Sequence, residues 1–504
     1  MWSNAFIDSL DRSSKSIRYT LRFLPSHNNF TLGNAKTLGL YGDIVVGEAD
    51  VVIDSARITP QRWSVNFGGF SITLHGDLTS MHVNGFRRGA IAELWMNRGS
   101  AINRVAIGQL NSVAGGQGIW QLEFTDLLNA MRSRASVQLD KLDFWYNAGL
   151  QATATANFTF TGAGGALFVS DTSIFEKKAG KDGLLKITDA THNAVDYWTY
   201  SAVAGTYLTI SSTGNYPSLA SHDHVHSGDP ITALAWLNDR PDYIFASLVM
   251  STGAGTQGYF DTYPASWGFG INFNPNLINK SDMDFQYNLW KTGSGNHRFS
   301  LVLEESGNIH TFLDSCLSCG MWAVFKEGSI SWRCAVNPNT VSSLHVSMAI
   351  NDSDIINIQD HQIYSQSVIY GKSAIRIYNN ASRQYEIKVF SGQTIKTLPA
   401  SRQIDRDHSL IYELTTPDQD VQALADLARL YDWDSQNYEE LTISVKEKFA
   451  RLVAGDIIII TSSLIYGYSE SQGTTFNRRR GMILGNRWLP SQGICILSIG
   501  ILPL

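Results

Sequence analysis

The chain has 504 residues, which is longer than a single domain usually reaches and predicts roughly three or four domains. Its 39 Lys and Arg residues against 45 Asp and Glu residues give a net charge of −6, which argues against a protein that coats nucleic acid. The sequence begins without a basic and apolar leader and contains no run of about 18 apolar residues, so we expect neither a secretory signal nor a membrane span.

Short strand patterns separated by turn residues fill the first part of the chain. The segment Ile17–Phe23 alternates with period two, and residues 43–47, 51–57 and 63–74 continue the pattern between Gly, Pro, Asn and Asp breaks. Alternating faces with frequent turns predict a barrel or a sandwich. Residues 1–135 are therefore predicted to form one β-barrel domain.

One sequence order within this barrel carries a family resemblance. Arg88, Gly89 and Leu94 precede a strand that contains glycine, and the run Glu-Phe-Thr-Asp-Leu-Leu follows. This order resembles the first hub domain of the central tail hub and baseplate hub proteins of tailed bacteriophages and phage-like tails. The resemblance implies a barrel whose copies help to form a ring that continues the tail tube. An unrelated β-barrel binding domain is the alternative.

The composition changes near residue 150 to a segment rich in Thr, Ala, Gly and Ser. Short strand patterns recur through this segment, and residues 136–228 are predicted to be a small inserted β module. The strings of residues 196–200 and 208–210, followed by the alanine and histidine stretch of residues 220–224, resemble a module of phage tail proteins. That match is independent of the first one.

Three histidines, His222, His224 and His226, end this module at two-residue spacing. In an extended chain, that spacing places the three imidazoles on one face, where they could bind a transition metal if Asp223 or Asp229 joined them. The neighbouring Ser, Gly and Pro residues instead favour an exposed polar loop. The loop is the preferred interpretation, and the metal site is the alternative.

After the histidines, helical and extended patterns are mixed. Residues 230–238 and 242–250 both have helical spacing of apolar side chains, and residues 280–290 and 308–317 are further helix candidates. We therefore predict a mixed α/β domain over residues 229–340.

A helix, a glycine and an aromatic hairpin follow one another between residues 308 and 336. Apolar side chains recur there with a 3.6-residue period up to Gly320, which suits a helix C-terminus, and two strands then flank Lys326-Glu327-Gly328. This pattern resembles a segment common in the hub proteins of contractile and long non-contractile phage tails. The segment is predicted to be a scaffold, because nothing in it indicates catalysis.

The four cysteines are Cys316, Cys319, Cys334 and Cys495. A Cys-x-x-Cys pair with two further cysteines could hold zinc or an iron–sulfur cluster, because thiolates are preferred ligands of those metals. The first three fall on apolar faces of the predicted helix and strand, which instead predicts buried cysteines that act as small hydrophobic side chains. Disulfides are disfavoured in a reducing cytoplasm, and no cofactor is predicted.

Strand patterns dominate again over residues 341–504. A hairpin is predicted over residues 374–389, an amphipathic helix over residues 417–433, and four strands between residues 440 and 501. The C-terminal order of strand, Gly-Asp, apolar strand, basic loop, strand, Gly and strand resembles the second hub barrel of the same family. The resemblance therefore implies a second hub β-barrel domain at the end of the chain.

Arg478, Arg479 and Arg480 form a compact basic cluster in this last region. A solvated loop is the plain interpretation of the cluster, and contact with an acidic partner or with passing DNA is the functional one. These arginines are the candidates for an interface or for the lining of a channel.

The chain carries no P-loop, serine-hydrolase or zinc-protease motif, and neighbouring carboxylates such as Glu304 and Glu305 are predicted to be surface charge. We therefore expect no enzymatic activity. The expected fold is mainly β with α+β parts, and it comprises two hub-type β-barrel domains, a mixed α/β domain and the small inserted β module.

The hub resemblance implies a structural virion protein, made in the host cytoplasm, that joins the tail tube to the tip as a homotrimeric ring. Three chains with two similar barrels each would present six near-equivalent units to a six-fold tube. The ring would surround a channel for the tape-measure protein and for DNA in transit, with distal tail or tail tube proteins and tail tip or fibre proteins as partners. The alternative is a receptor- or glycan-binding tail tip protein, and a metal-dependent enzyme that uses the cysteines or histidines is a third hypothesis.

Overall fold

The structure of the chain is a computed structural model. The described residues are 2–11, 17–23, 43–46, 49–60, 63–75, 90–99, 101–128, 143–144, 150–161, 165–177, 180, 182–189, 194–211, 224–249, 277–291, 299–303, 307–364, 373–379, 384–390, 426, 428–434, 436–467 and 474–503.

Helices are few among these residues. They are α1 (Asn4–Leu10), α2 (Pro241–Val249), α3 (Lys280–Trp290) and α4 (Ile309–Ser318), and residues 428–434 are also helical. The last three named helices confirm the helix predictions for residues 242–250, 280–290 and 308–317. The predicted helix of residues 417–433 is confirmed only in its final part, since residues 417–425 lie outside the described residues. Within the described ranges, no helix has the length and apolar character that a membrane span needs.

Strands predominate, which confirms the prediction of a mainly β chain with α+β parts. In chain order they are β1 (Ile17–Phe23), β2 (Asp43–Val46), β3 (Asp50–Asp54), β4 (Arg57–Thr59), β5 (Ser64–Asn66), β6 (Gly69–His75), β7 (Ile91–Arg98), β8 (Ala101–Gly116), β9 (Ile119–Asp126), β10 (Asp143–Phe144), β11 (Gln151–Thr153), β12 (Phe158–Thr159), β13 (Gly165–Phe168), β14 (Gly183–Asp189), β15 (Ala194–Ala204), β16 (Tyr207–Ile210), β17 (His224–Val225), β18 (Pro230–Asp239), β19 (Phe299–Leu303), β20 (Gly307–Asn308), β21 (Met321–Lys326), β22 (Ser329–Cys334), β23 (Val346–Asn351), β24 (Ile355–Tyr364), β25 (Ser373–Asn379), β26 (Gln384–Phe390), β27 (Tyr438–Lys446), β28 (Ile457–Tyr466), β29 (Thr475–Leu489) and β30 (Ile494–Ile501).

One 13-stranded sheet contains strands from both ends of the chain. Its order is β2-β1-β7-β8-β9-β6-β3-β29-β30-β27-β24, and β28 pairs with both β29 and β23. We call β1–β3 and β6–β9 its N-terminal half and the remaining strands its C-terminal half. The halves join where Asp54 faces Arg487, and the N–H of Ser55 donates to the carbonyl of Asn486 at 2.8 Å. Strands that the sequence assigns to two separate barrels thus share one sheet, while the domain boundaries stay a prediction.

A single hydrophobic core lies against both halves of this sheet. Leu21 and Leu94 reach it from the N-terminal half, Ile443 and Ile499 reach it from the C-terminal half, and all four side chains are fully buried. Full burial of one such side chain contributes roughly 1.5–3 kcal/mol to stability. Because the side chains come from opposite ends of the sequence, neither half can form this core alone.

The helix–hairpin segment packs in a second core beside the sheet. After α4, Gly320 adopts the left-handed conformation with φ of 71°, as the sequence predicts for the residue that follows a helix. Strands β21 and β22 then pair with each other, which confirms the predicted hairpin. Trp322 and Trp332 from the hairpin share this core with Ile457 and Met482 from the C-terminal half of the sheet.

A separate sheet of seven strands contains much of the predicted small module. Its order is β11-β18-β14-β15-β16-β13, and β19 pairs with β18. The predicted helix of residues 230–238 is wrong, because those residues form β18. Ile231 and Ala233 enter one core, whereas Leu234 packs in another. An apolar run that is buried on both faces does not reveal its period, and pairing with β14 and β19 stabilises the strand.

Candidate functional site

Three tryptophans connect three distant parts of the chain beside the large sheet. Trp63 follows β4, Trp322 lies on β21, and Trp433 lies in the helix of residues 428–434. The ring centroid of Trp63 is 6.4 Å from that of Trp322 and 6.5 Å from that of Trp433. Trp63 Nε1 donates a hydrogen bond to Asp434 Oδ1 at 3.1 Å, and Trp433 Nε1 donates to the carbonyl of Val336 at 2.9 Å. This cluster fixes the N-terminal residues, the hairpin and the C-terminal residues relative to one another.

A fully buried arginine lies at the same junction. Arg333, on β22, donates from Nε to Asp456 Oδ1 at 3.0 Å and from Nη1 to Asp282 Oδ2 at 2.7 Å. Lys326 Nζ, on β21, donates to the two carboxylate oxygens of Asp456 at 3.0 and 3.1 Å. The N–H of Val453 also donates to Asp456, at 3.1 Å. Buried charges are tolerated when they are paired and hydrogen-bonded, and here two cations balance two carboxylates.

The electrostatics of this network favour the charged forms of Asp282 and Arg333. Burial by itself would raise the pKa of Asp282, but the positive charges of Arg333 and Lys326 lower that pKa to about 2. Burial works against the charge on Arg333 as well, and the carboxylates of Asp456 and Asp282 nevertheless raise the pKa of Arg333 above its usual value. The hydrogen bonds among the four groups connect α3, the hairpin and the turn before β28.

A second buried ion pair connects the two halves of the large sheet. Arg98, at the end of β7, hydrogen-bonds to Glu447, which begins the 3-10 helix Glu447–Arg451. Trp488 Nε1 donates to Glu447 Oε1 at 3.0 Å, and Arg98 Nη1 donates to the carbonyl of Ser9 at 3.0 Å. Burial raises the pKa of Glu447, although the charge of Arg98 acts in the opposite direction. These polar contacts therefore hold the N-terminal and C-terminal halves of the sheet together, as the strand pairing and the shared core also do.

Asp126 is a buried carboxyl group at the end of β9. Its Oδ1 accepts a hydrogen bond from the N–H of Leu128 at 2.7 Å. It lines a small cavity between the two halves of the sheet, together with residues such as Asp54, Glu327 and Asn486. Burial raises the pKa of Asp126 to about 7, and the bond from Leu128 offsets part of that rise.

We expect Asp126→Asn to remove a pH dependence of stability. An unfolded aspartate ionises near pH 4, whereas folded Asp126 ionises near pH 7, so the folded state holds one extra proton between these values. The free energy of unfolding of the wild type should therefore fall by about 2–3 kcal/mol from pH 5 to pH 7. The asparagine of the variant keeps a side-chain oxygen that can accept the hydrogen bond from the N–H of Leu128. Its free energy of unfolding should not show this fall between pH 5 and pH 7. Urea unfolding at the two pH values measures the difference, and equal falls in both proteins would contradict the raised pKa.

The four cysteines are buried, which confirms the prediction made for Cys316, Cys319 and Cys334. Cys316, Cys319 and Cys334 lie in the core beneath the hairpin, and Cys495 lies in the core of the large sheet. Burial raises the pKa of Cys334 to about 12 and raises those of Cys316 and Cys495 well above the usual value. The structure also does not bring Cys495 together with the other three.

The structure places His224 and His226 in different surroundings. His222 lies outside the described residues, and His224 is exposed on β17. His226 lies in the turn before β18, where it joins Asp189 and Asp229 in a group whose ligand atoms are all within 4.8 Å of one another. The sequence names Asp229 as a possible partner of the histidines. It gives no local signal for Asp189, because only strand pairing brings that residue to the turn.

Arg478, Arg479 and Arg480 lie within strand β29, so the predicted basic loop is wrong. Arg479 is buried and its Nη2 donates to the carbonyl of Leu502 at 2.8 Å, while Arg480 Nη1 donates to the carbonyl of Val341. Pairing with β28 and these carbonyl acceptors hold the stretch in the sheet despite its polarity. Of the three, Arg478 has the exposed side chain, and a role of the cluster at an interface or channel stays a prediction.

No protein-family model and no curated protein sequence matches the chain. Several solved structures that resemble it are described as tail proteins. A tail protein from Neisseria meningitidis MC58 aligns over 96% of this chain and 97% of its own, with 10% identity and a TM-score of 0.37. A 43 kDa tail protein of prophage MuSo2 from Shewanella oneidensis aligns over 96% of this chain and 98% of its own, with 10% identity and a TM-score of 0.41. Prophage tail protein gp18 from Listeria monocytogenes EGD-e aligns over 96% of this chain and 94% of its own, with 7% identity and a TM-score of 0.37. These TM-scores lie below the level that defines a shared fold.

Proposed function

We propose that this chain is a non-enzymatic structural protein of the virion, the central hub that joins the tail tube of a phage or phage-like particle to its tail tip or baseplate. The observation that carries the proposal is the continuous sheet, in which β3 and β29 join strands from the two chain ends. A hub must transmit force between tube and tip, and a shared sheet with a shared core keeps two β regions at a constant spacing. The hub-like sequence patterns of residues 308–336 and 440–501 support the same function.

We further propose that three copies close into a ring. Each chain holds two β regions, so three chains supply six, which matches a six-fold tube. The channel would hold the tape-measure protein and later pass DNA, while tail tube or distal tail proteins and tip or fibre proteins bind at the two faces. A net charge of −6 fits DNA that passes through without binding.

Exposed apolar side chains on the C-terminal half of the large sheet support assembly with another copy. Strand β24 ends the sheet order and exposes Ile356 and Ile363, and strand β28, which pairs with β29 and β23, exposes Leu464 and Tyr466. Exposed apolar groups on such strands favour contact with another chain. They offer a surface through which copies in a ring can meet.

One observation favours the alternative function, receptor or glycan binding at the tail tip. In the seven-stranded sheet, the Phe168 side chain is 42% exposed, and its ring centroid lies 5.5 Å from that of Tyr207. Aromatic side chains are enriched in binding surfaces. Under this alternative, the purified chain binds host polysaccharide and Phe168→Ala removes the binding.

Antibody labelling of tailed particles tests the virion role. Gold-labelled antibody against this chain is expected at a single position, the tail end distal to the head, on particles from the strain that encodes the chain. Unlabelled tails in a preparation that contains the chain as free protein would contradict the proposal. Polysaccharide pull-down with the wild type and Phe168→Ala then separates the two functions, because a hub alone binds in neither case.

A further inference from the structure

We infer that Asp189, His226 and Asp229 form a site for a divalent transition metal, with zinc as the reference ion. One nitrogen of His226 and one oxygen from each aspartate lie within 4.8 Å of one another. Imidazole nitrogen combined with carboxylate oxygen is a ligand set that zinc and other divalent first-row transition metals accept. Calcium and magnesium instead take oxygen ligands. The inference is independent of the hub proposal, since it concerns only the seven-stranded sheet and the turn beside it.

Strand pairing brings the two aspartates into opposition. Strands β14 and β18 are paired up to Ile187 opposite Ile231. Asp189 ends β14 and Asp229 immediately precedes β18, so the same register continued by two residues sets Asp189 opposite Asp229. Both residues are buried, at 6% and 3% exposure. Like charges directly opposite one another destabilise a strand pair, and a bound cation changes that repulsion into attraction for both carboxylates.

The turn before β18 holds the histidine against these carboxylates. The N–H of His226 donates to Asp229 Oδ2 at 2.7 Å, and the N–H of Asp229 donates to the carbonyl of His226 at 3.1 Å. Gly228 allows this closed turn with its φ of 101°. His226 Nδ1 is buried and lies 3.7 Å from Asp229 Oδ2. Two ligands at about 2.1 Å from a tetrahedral zinc are roughly 3.4 Å apart, so this pair needs little movement to bind one ion.

The site has access to solvent on one side. The His226 side chain is 45% exposed, so water or a fourth ligand can reach an ion that the three residues hold. Three protein ligands with one open position differ from the closed four-ligand sites that zinc uses for structure alone. An ion here would nevertheless tie the end of β14 to the start of β18, and it should stabilise the seven-stranded sheet.

Metal titration of the full-length chain tests the site. After treatment with a chelator, the wild type is expected to bind one Zn²⁺ per chain, and Co²⁺ should give the visible absorption of a four-coordinate site. Zinc should raise the melting temperature, because an ion that binds only the folded state stabilises it. Asp189→Asn and His226→Gln should each weaken binding by more than the roughly 10–100-fold that loss of an outer-shell partner costs.

His224→Ala is the matched control, since His224 is exposed on β17 and its Nδ1 lies 2.9 Å from Thr159 Oγ1, outside the ligand group. This variant should bind zinc as the wild type does. Melting curves in chelator show whether each variant is folded before its zinc affinity is compared. The inference is overturned by any of three results: no saturable zinc or cobalt binding, unchanged zinc affinity in both ligand variants, or binding of Ca²⁺ in preference to Zn²⁺.

Discussion

Replacement of Arg333 by Met is expected to lower the free energy of unfolding by about 3–5 kcal/mol. Methionine keeps an unbranched side chain in the core but removes the charge that pairs with Asp456 and Asp282. The side chain of Asp456 is fully buried, and Lys326 becomes the single cation within the network. A buried charge that loses its partner costs more than the pair contributes. Urea unfolding followed by tryptophan fluorescence measures the loss, since Trp322 faces position 333 across the hairpin.

Arg487→Ala is the matched control for this prediction. Arg487 lies 3.6 Å from Asp54, and both side chains are about half exposed, so its loss should change stability by no more than about 0.5 kcal/mol. A similar small change in Arg333→Met would show that the buried network contributes little.

Arg333→Met should also change how the stability of the protein depends on pH in acid. The folded pKa of Asp282 is about 2, below the value near 4 of an unfolded aspartate. The ionised Asp282 therefore contributes fully to the free energy of unfolding of the wild type above about pH 4. This contribution is lost as the pH falls toward 2. Arg333→Met should flatten this acid loss, because it removes the main charge that lowers the pKa.

Trp63→Ala is expected to cost about 3–5 kcal/mol, as truncation of a buried tryptophan usually does. The change leaves a cavity between Trp322 and Trp433 and removes the hydrogen bond to Asp434. Because the cluster connects both chain ends, strands of both halves of the large sheet should lose protection. Hydrogen exchange measured by mass spectrometry on peptides from β6 and β30 reports this directly.

Two further variants control for the size and position of the change. Trp63→Phe keeps an aromatic ring in the cluster and should cost less than Trp63→Ala. Phe285→Ala truncates an aromatic side chain that is 43% exposed, and it should cost far less stability than Trp63→Ala. Loss of protection confined to β6 after Trp63→Ala would mean that the halves fold independently.

The local elements of this fold could be predicted where one face is apolar and a turn residue follows. The hairpin of β21 and β22, the preceding helix and Gly320 all have such signals, and so do β27–β30. Prediction failed where two faces are buried, as in β18, and where hydrogen bonds to distant carbonyls hold polar residues in a strand, as at Arg479 and Arg480. In each failure, tertiary contacts outweighed the local pattern.

The candidate sites depend even more on distant contacts. The pairing of Asp54 with Arg487 joins residues far apart in sequence, and no local pattern indicates it. The sequence identified the apolar alternation of β22 but not the burial of Arg333, because an arginine between core residues is normally read as an exposed position. It likewise identified His226 and Asp229, whereas Asp189 is brought to them by the register of β14 and β18.

The mass and symmetry of the purified chain in solution test the hub proposal most directly. Light scattering is expected to give three times the 55.8 kDa chain mass, and negative-stain images of the same fraction should show three-fold rings with six peripheral densities around a channel. A chain that stays monomeric over a wide concentration range and binds host polysaccharide would contradict the hub and favour receptor binding at the tail tip.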